Sequence, residues 1–331
     1  MNLSLLFLKI LRKGYRSVWH PYWTQPDCVI DRQKANDLIY DVLISDSPCM
    51  ISRIGTVEMG CLGHYLNLHD SNTLLKRCMQ YIVNDNYAPI WDEKHLDGLC
   101  NGPGGFPHTR EFFDRFCEQY LHDIPPIDIL GSLNITEKYL PIAPETIKIH
   151  LESLYPFFVE RPWTRALKEK RVLVIHPFEK TILHQEKKRE MIFADPDVFP
   201  PYRLQTLRAV QSIGMNDELQ HYHDWFDALH SMEEKITQYD FDFALIGCGG
   251  YGLPLAAFIK RMGKKAIHLG GGLQLLFGIK GKRWEDNYTW TYHTKEKLDL
   301  NYTSLYNDFW VRPFPEDTPQ VATKIENGCY W

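Results

Sequence analysis

Three segments of this chain end in residue types that could do chemistry. The first is Ser52-Arg53-Ile54-Gly55-Thr56-Val57-Glu58. An arginine and a glutamate flank a glycine there. The guanidinium could pair with a phosphate, and the carboxylate could bind a divalent metal or take a proton. The same two side chains could equally form an internal ion pair that fixes the turn. The second is His176-Pro177-Phe178, where a histidine closes an apolar run. It faces a ligand or is hydrogen-bonded in the core. The third is Gly247-Cys248-Gly249-Gly250-Tyr251-Gly252, followed by His268-Leu269-Gly270-Gly271-Gly272-Leu273-Gln274. Gly247, Gly249 and Gly252 satisfy the G-x-G-x-x-G spacing, which lets backbone N–H groups approach a phosphate at a helix start.

A dinucleotide site also needs an acidic residue on the next strand, about twenty residues on, to hold the ribose. His268 stands there, and no acid occurs between Tyr251 and Gly281. No nicotinamide cofactor is therefore expected, and the phosphate cradle remains. Lys260, Arg261, Lys264, Lys265, Lys280, Lys282 and Arg283 form a basic zone around these turns. Solvation accounts for it, and a diphosphate would also gain from it. His221-Tyr222-His223-Asp224 falls on an expected helix, but histidines two apart do not share a helix face as a metal pair does.

These residues need strands to carry them. Segments 48–55, 127–133, 171–176, 241–246 and 265–269 read as buried strands. Segments 33–46, 56–66 (with Thr56 as N-cap), 72–83, 109–121, 177–193 and 216–238 read as helices. Residues 84–108 are rich in Gly, Pro, Asn and Trp and read as irregular. Alternation of strand and helix predicts an α/β, Rossmann-like fold with a mainly parallel sheet and flanking helices.

The bulk properties suit a globular chain. It has 331 residues, 44% hydrophobic and 24% charged, with a net charge of −5. That charge argues against a nucleic-acid partner. The eight cysteines lack close pairs and read as reduced thiols in a cytoplasmic protein. Residues 1–30 form an N-terminal amphipathic segment, 31–285 the main domain, and 286–331 an aromatic-rich tail packed on it. The first segment is too short to span a bilayer. It either packs on the protein or lies on a membrane through residues 1–17, at the inner face, with Lys9, Arg12, Lys13 and Arg16 near anionic lipid.

The order of these motifs resembles the GT-D class of bacterial glycosyltransferases. That family has an R-x-G-D-G-E strand end, which corresponds to Arg53-Ile54-Gly55-Thr56-Val57-Glu58. Its later elements correspond to Val159-Glu160-Arg161-Pro162-Trp163, to Lys170 through Ile175, to Leu245 through Gly252, and to His268-Leu269-Gly270-Gly271. Thr56 replaces the first acid of the signature, and His268 replaces a later one. The resemblance implies sugar transfer from a nucleotide-diphosphate sugar to a glycan or lipid-linked glycan in surface-polysaccharide synthesis. It implies donor binding by Arg53, Gly55, Thr56, Gly247, Gly249, Gly250, Tyr251, Gly252, His268, Gly270, Gly271 and Gln274. It makes Glu58 and His176 the candidate catalytic bases and Glu58 the ligand of a Mn²⁺ or Mg²⁺. The alternatives are a pyruvyl- or phosphoryl-modifying enzyme of the same pathways, or a non-catalytic nucleotide-binding protein.

Overall fold

The computed structural model describes residues 3–19, 27–84, 87–212, 221–285, 300–322 and 328–331. In chain order, α1 (Leu3–Trp19), α2 (Arg32–Ile44), β1 (Cys49–Arg53), α3 (Thr56–Leu68), α4 (Leu74–Val83), α5 (Lys94–Asn101), α6 (Arg110–Asp123), β2 (Ile129–Ser132) and β3 (Ile147–His150) make the first part. Then come β4 (Arg171–His176), α7 (Glu179–Glu186), α8 (Arg189–Ile192), β5 (Arg203–Arg208), α9 (Trp225–Ile236), β6 (Phe243–Ile246), α10 (Gly252–Arg261), β7 (Lys265–His268) and α11 (Leu273–Leu276).

The seven strands form one all-parallel sheet in the order β3-β2-β1-β7-β6-β4-β5. This is the α/β architecture the alternation predicts. The inner strands read as continuous apolar runs because helices cover both faces. Alternate residues of each strand feed opposite cores. Met50, Leu130, Leu173, Ile175, Ala244, Ile246 and Ala266 pack with α3, α5, α6, α9 and α10. Cys49, Ile51, Ile129, Ile149, Val172, Val174, Leu245 and Ile267 pack on the other side with α2, α7 and α11. Trp163, fully buried, sits in that second core and donates its indole N–H to the Leu154 carbonyl at 2.9 Å.

The tail contributes to the same core. Leu300, Tyr302 and Trp310 are buried in it. Asp317 accepts from the backbone and hydroxyl of Thr181, at 2.7 and 2.6 Å, and so ties the tail to α7.

Several boundaries differ from expectation. Gly55, not Thr56, is the N-cap of α3, and Thr56 is the first helical residue. The irregular stretch 84–108 contains α5. The helix expected over 177–193 is broken into α7 and α8. The helix expected from 216 begins at Trp225, where Asp224 caps it, so His221 and His223 precede it; residues 216–220 lie outside the described ones. Strands β3 and β5 carry no alternation strong enough to announce them. All eight cysteines are free thiols.

Candidate functional site

A cleft of about 350 Å³ opens at the carboxyl ends of β1, β7, β6 and β4, where open α/β sheets bind ligands. It brings together Arg53, Gly55, Thr56 and Glu58 from the first segment and His176 from the second. From the third it takes Gly247, Gly249, Tyr251, His268, Gly270, Gly271 and Gln274. Residues some 200 positions apart are neighbours because β1 pairs directly with β7.

Arg53 leaves the end of β1 and runs over Gly270, where an added Cβ would stand 2.9 Å from its Nη1. Gly270 has φ +60°, a conformation that suits glycine. Glu58 folds back over Gly55, so that any side chain at 55 would overlap its carboxylate. This places a negative charge at the amino end of α3, where the helix dipole favours it. Glu58 is the one carboxylate lining the cleft among the described residues.

The two histidines are buried and neutral. Burial pushes His176 down to about 3. Its Nδ1 accepts the backbone N–H of Phe178 at 3.0 Å. In the neutral ring the proton therefore sits on Nε2, so His176 offers a donor rather than a basic lone pair through that atom. That overturns its expected role as a base. His268 is also pushed down to about 3, by burial first and by the Arg53 charge second. Its Nδ1 lies 3.1 Å from Ser52 Oγ.

The glycine turn differs from the expected cradle. The N–H of Gly250 is donated to the Pro103 carbonyl at 2.9 Å, and that of Tyr251 to Cys248 at 3.3 Å. The Gly252 N–H goes to the Gly249 carbonyl. These three N–H groups are thus committed within the protein. Gly250 and Gly252 stand behind the cleft wall, not on it. Their glycine identity is a packing requirement: a Cβ on Gly250 would stand 3.1 Å from Pro103, and one on Gly252 would overlap His268. Tyr251 does line the cleft, but its ring is stacked on Trp225 at 4.8 Å and its hydroxyl is 2.9 Å from Ser212 Oγ.

Gly252→Ala follows as a test of this wall. The new methyl would stand 2.5 Å from His268 Cδ2, in a region with no slack. Overpacking of this kind costs about 1–3 kcal/mol. Urea unfolding is expected to show that loss; an unchanged midpoint would mean that the wall yields freely.

Other residues of the cleft had little or no local signal. Arg283 belongs to the basic zone, and its Nη1 donates to the Tyr330 hydroxyl at 3.0 Å. Tyr330 and Trp331 come from the tail; Tyr330 lies where a side chain on Gly271 would be. Gln211, Ser212 and Pro103 come from loops. Gln274 spends its amide N–H groups on the carbonyls of Ile279, Lys280 and Tyr330. Its buried Oε1 has no protein partner. The Arg161–Trp163 element is elsewhere: Arg161 pairs with Asp37 of α2 at 2.7 Å.

The cleft's own side chains offer a Mn²⁺ or Mg²⁺ one carboxylate, Glu58. Among the described residues no three His, Cys, Asp or Glu side chains converge. Thr56 stands where the second carboxylate would be, so an ion held by Glu58 would take its remaining oxygens from water and ligand phosphates.

Sheet and crevice define a Rossmann-like α/β protein with a cleft at the carboxyl edge of the sheet. Comparison of the chain with family models, with curated proteins and with solved structures finds no match. Among the described residues no helix is long and apolar enough to cross a membrane.

Proposed function

We propose that the cleft binds a nucleotide-diphosphate sugar and that the protein is a cytoplasmic glycosyltransferase acting on a glycan or lipid-linked glycan, in surface-polysaccharide synthesis. The observation that carries this reading is the pair of guanidiniums, Arg53 and Arg283, lining one cleft in which Glu58 is the one carboxylate among the described residues. Two fixed cations suit a diphosphate, whose charge grows as it leaves. Glu58 then has the role of base. The acceptor oxygen forms its bond to the anomeric carbon, the carbon–oxygen bond to the diphosphate breaks with its electron pair, and the acceptor proton passes to Glu58. His176 contributes an Nε2–H donor to the same space. No step runs through a metal.

The experiment has two arms. A thermal-shift panel of sugar nucleotides is expected to show stabilisation by at least one donor. No stabilisation across the panel would end the donor reading. Glu58→Gln is expected to keep donor binding and to lose turnover by about 10²–10⁴-fold, as removal of a general base does. Full turnover in that variant would remove Glu58 from the chemistry. Donor binding without turnover under any condition would leave a nucleotide-binding protein.

A further inference from the structure

The helix α1 packs on the protein through apolar and cationic side chains alike. Leu5 and Leu8 are buried with Tyr81 and Ala88, in a small cluster of their own. Three of its four cations also turn toward the protein. Lys9 pairs with Asp92 at 2.5 Å, Arg12 lies over the Tyr81 ring at 4.4 Å, and Arg16 donates to the Asn84 carbonyl at 3.2 Å. Arg12 and Arg16 both reach the C-terminal end of α4.

Much of what α1 and α4 turn outward is apolar. Phe7, Ile10, Val18 and Trp19 of α1, with Leu75 and Met79 of α4, are between 52 and 76% exposed. With Leu3 (82% exposed) and Leu11 (39%), Phe7 and Ile10 recur at three and four residues along one face, and Val18, seven residues past Leu11, falls on that face again. A globular helix normally does the opposite and keeps its charges outward. Charge is also one-sided here. α1 has four Lys or Arg and α4 has two, and neither contains an acidic residue. The chain as a whole carries −5. Lys13 and Lys76 are exposed.

We propose that the α1–α4 face is a docking surface for an anionic lipid bilayer. The apolar stripe enters the boundary of head groups and acyl chains, and the exposed Lys13 and Lys76 meet the negative surface. Trp19 closes the stripe with a residue type that favours that boundary. Neither helix lines the cleft, so this proposal is independent of the reading given above for it.

Flotation of the full chain with vesicles tests it. Binding is expected to phosphatidylcholine vesicles that contain phosphatidylglycerol, and to weaken with added salt. The double variant Phe7→Glu, Leu75→Glu is expected to lose at least about tenfold in binding, because the apolar area it removes is what enters the lipid. Lys13→Gln with Lys76→Gln is expected to weaken binding to the anionic vesicles alone. Circular dichroism checks the fold, and Phe7→Gln with Leu75→Gln replaces the first pair if the glutamates disturb it. Failure of the parent chain to float with anionic vesicles would overturn the proposal. So would unaltered binding by the outward variants. So would a dimer in light scattering that these variants dissociate, since the face would then be a contact between copies of the chain.

Discussion

Lowering the pH from 7 to 5.5 is expected to destabilise this protein by several kcal/mol, well before most carboxylates titrate. Burial holds His64, His176 and His268 down to about 3 and His150 to about 4. An unfolded histidine takes its proton near 6.5. Below that value the unfolded chain binds protons that the folded chain refuses, so stability falls with falling pH. The contribution is complete above about 6.5 and is lost as pH drops toward the folded values of about 4 and 3. Each such histidine adds about 1.4 kcal/mol per pH unit to the slope. Four acting together would add about 5 kcal/mol per unit, comparable with the whole stability of many domains. Glu137 and Glu152 oppose this, since burial raises their carboxyls and lets the folded state take protons earlier. Burial pushes His95 down as well, so the net uptake on unfolding is expected between two and five protons. Urea unfolding at pH 7, 6 and 5.5 measures it. A flat profile would mean that these histidines are charged or wet in the folded protein. His64 is stacked on His95 at 4.4 Å, and His64→Gln is expected to remove about one proton from the slope.

Arg53→Ala is expected to weaken binding of the best donor by about 10- to 150-fold, the range of a charge-assisted hydrogen bond of about 1.5–3 kcal/mol. The side chain comes off the end of a central strand and is held over Gly270, so it is already ordered before ligand arrives. Arg53→Lys is expected to recover only part of the loss, because an ammonium cannot form two parallel bonds to a phosphate. Arg161→Ala is the control. Its guanidinium is engaged with Asp37 on the surface, and donor affinity should not move. Isothermal titration decides the matter. Undiminished affinity in Arg53→Ala would take the diphosphate away from this residue.

What the sequence disclosed depended on how each element is buried. β4 and β6 are apolar for nearly their whole length, and such runs announce themselves. β5, Arg203-Leu-Gln-Thr-Leu-Arg, lies at an edge with only Leu207 fully buried, and its composition matches a loop as well as a strand. The same holds for β3 at the opposite edge. Strand-end residues were legible as a set because a parallel sheet collects its carboxyl ends on one side. Arg53, Glu58, His176 and the 247–274 glycine corners meet for that reason. What the glycine spacing concealed was hydrogen bonding. Whether Gly250 offers its N–H to a ligand depends on Pro103, a residue far away in the chain, and no local pattern encodes that pairing. The orientation of His176 is local, yet it rests on where the Phe178 N–H points, which residue type alone does not encode. Tyr330 and Trp331 reach the cleft only through the path of the tail.

The strand order has a consequence for how the molecule comes into being. β6 and β7 are the last strands in the sequence, yet they fill the middle of the sheet, between β4 and β1. A nascent chain that has emerged only through β5 holds two partial sheets, each with a raw edge that has nothing to pair with. Such edges invite pairing with other chains and make natural landing places for chaperones. Joining them requires contacts between positions as remote as Ile51 and Ile267, which slows folding. The cleft borders that same seam, so its walls come together only once β6 and β7 have paired between β4 and β1.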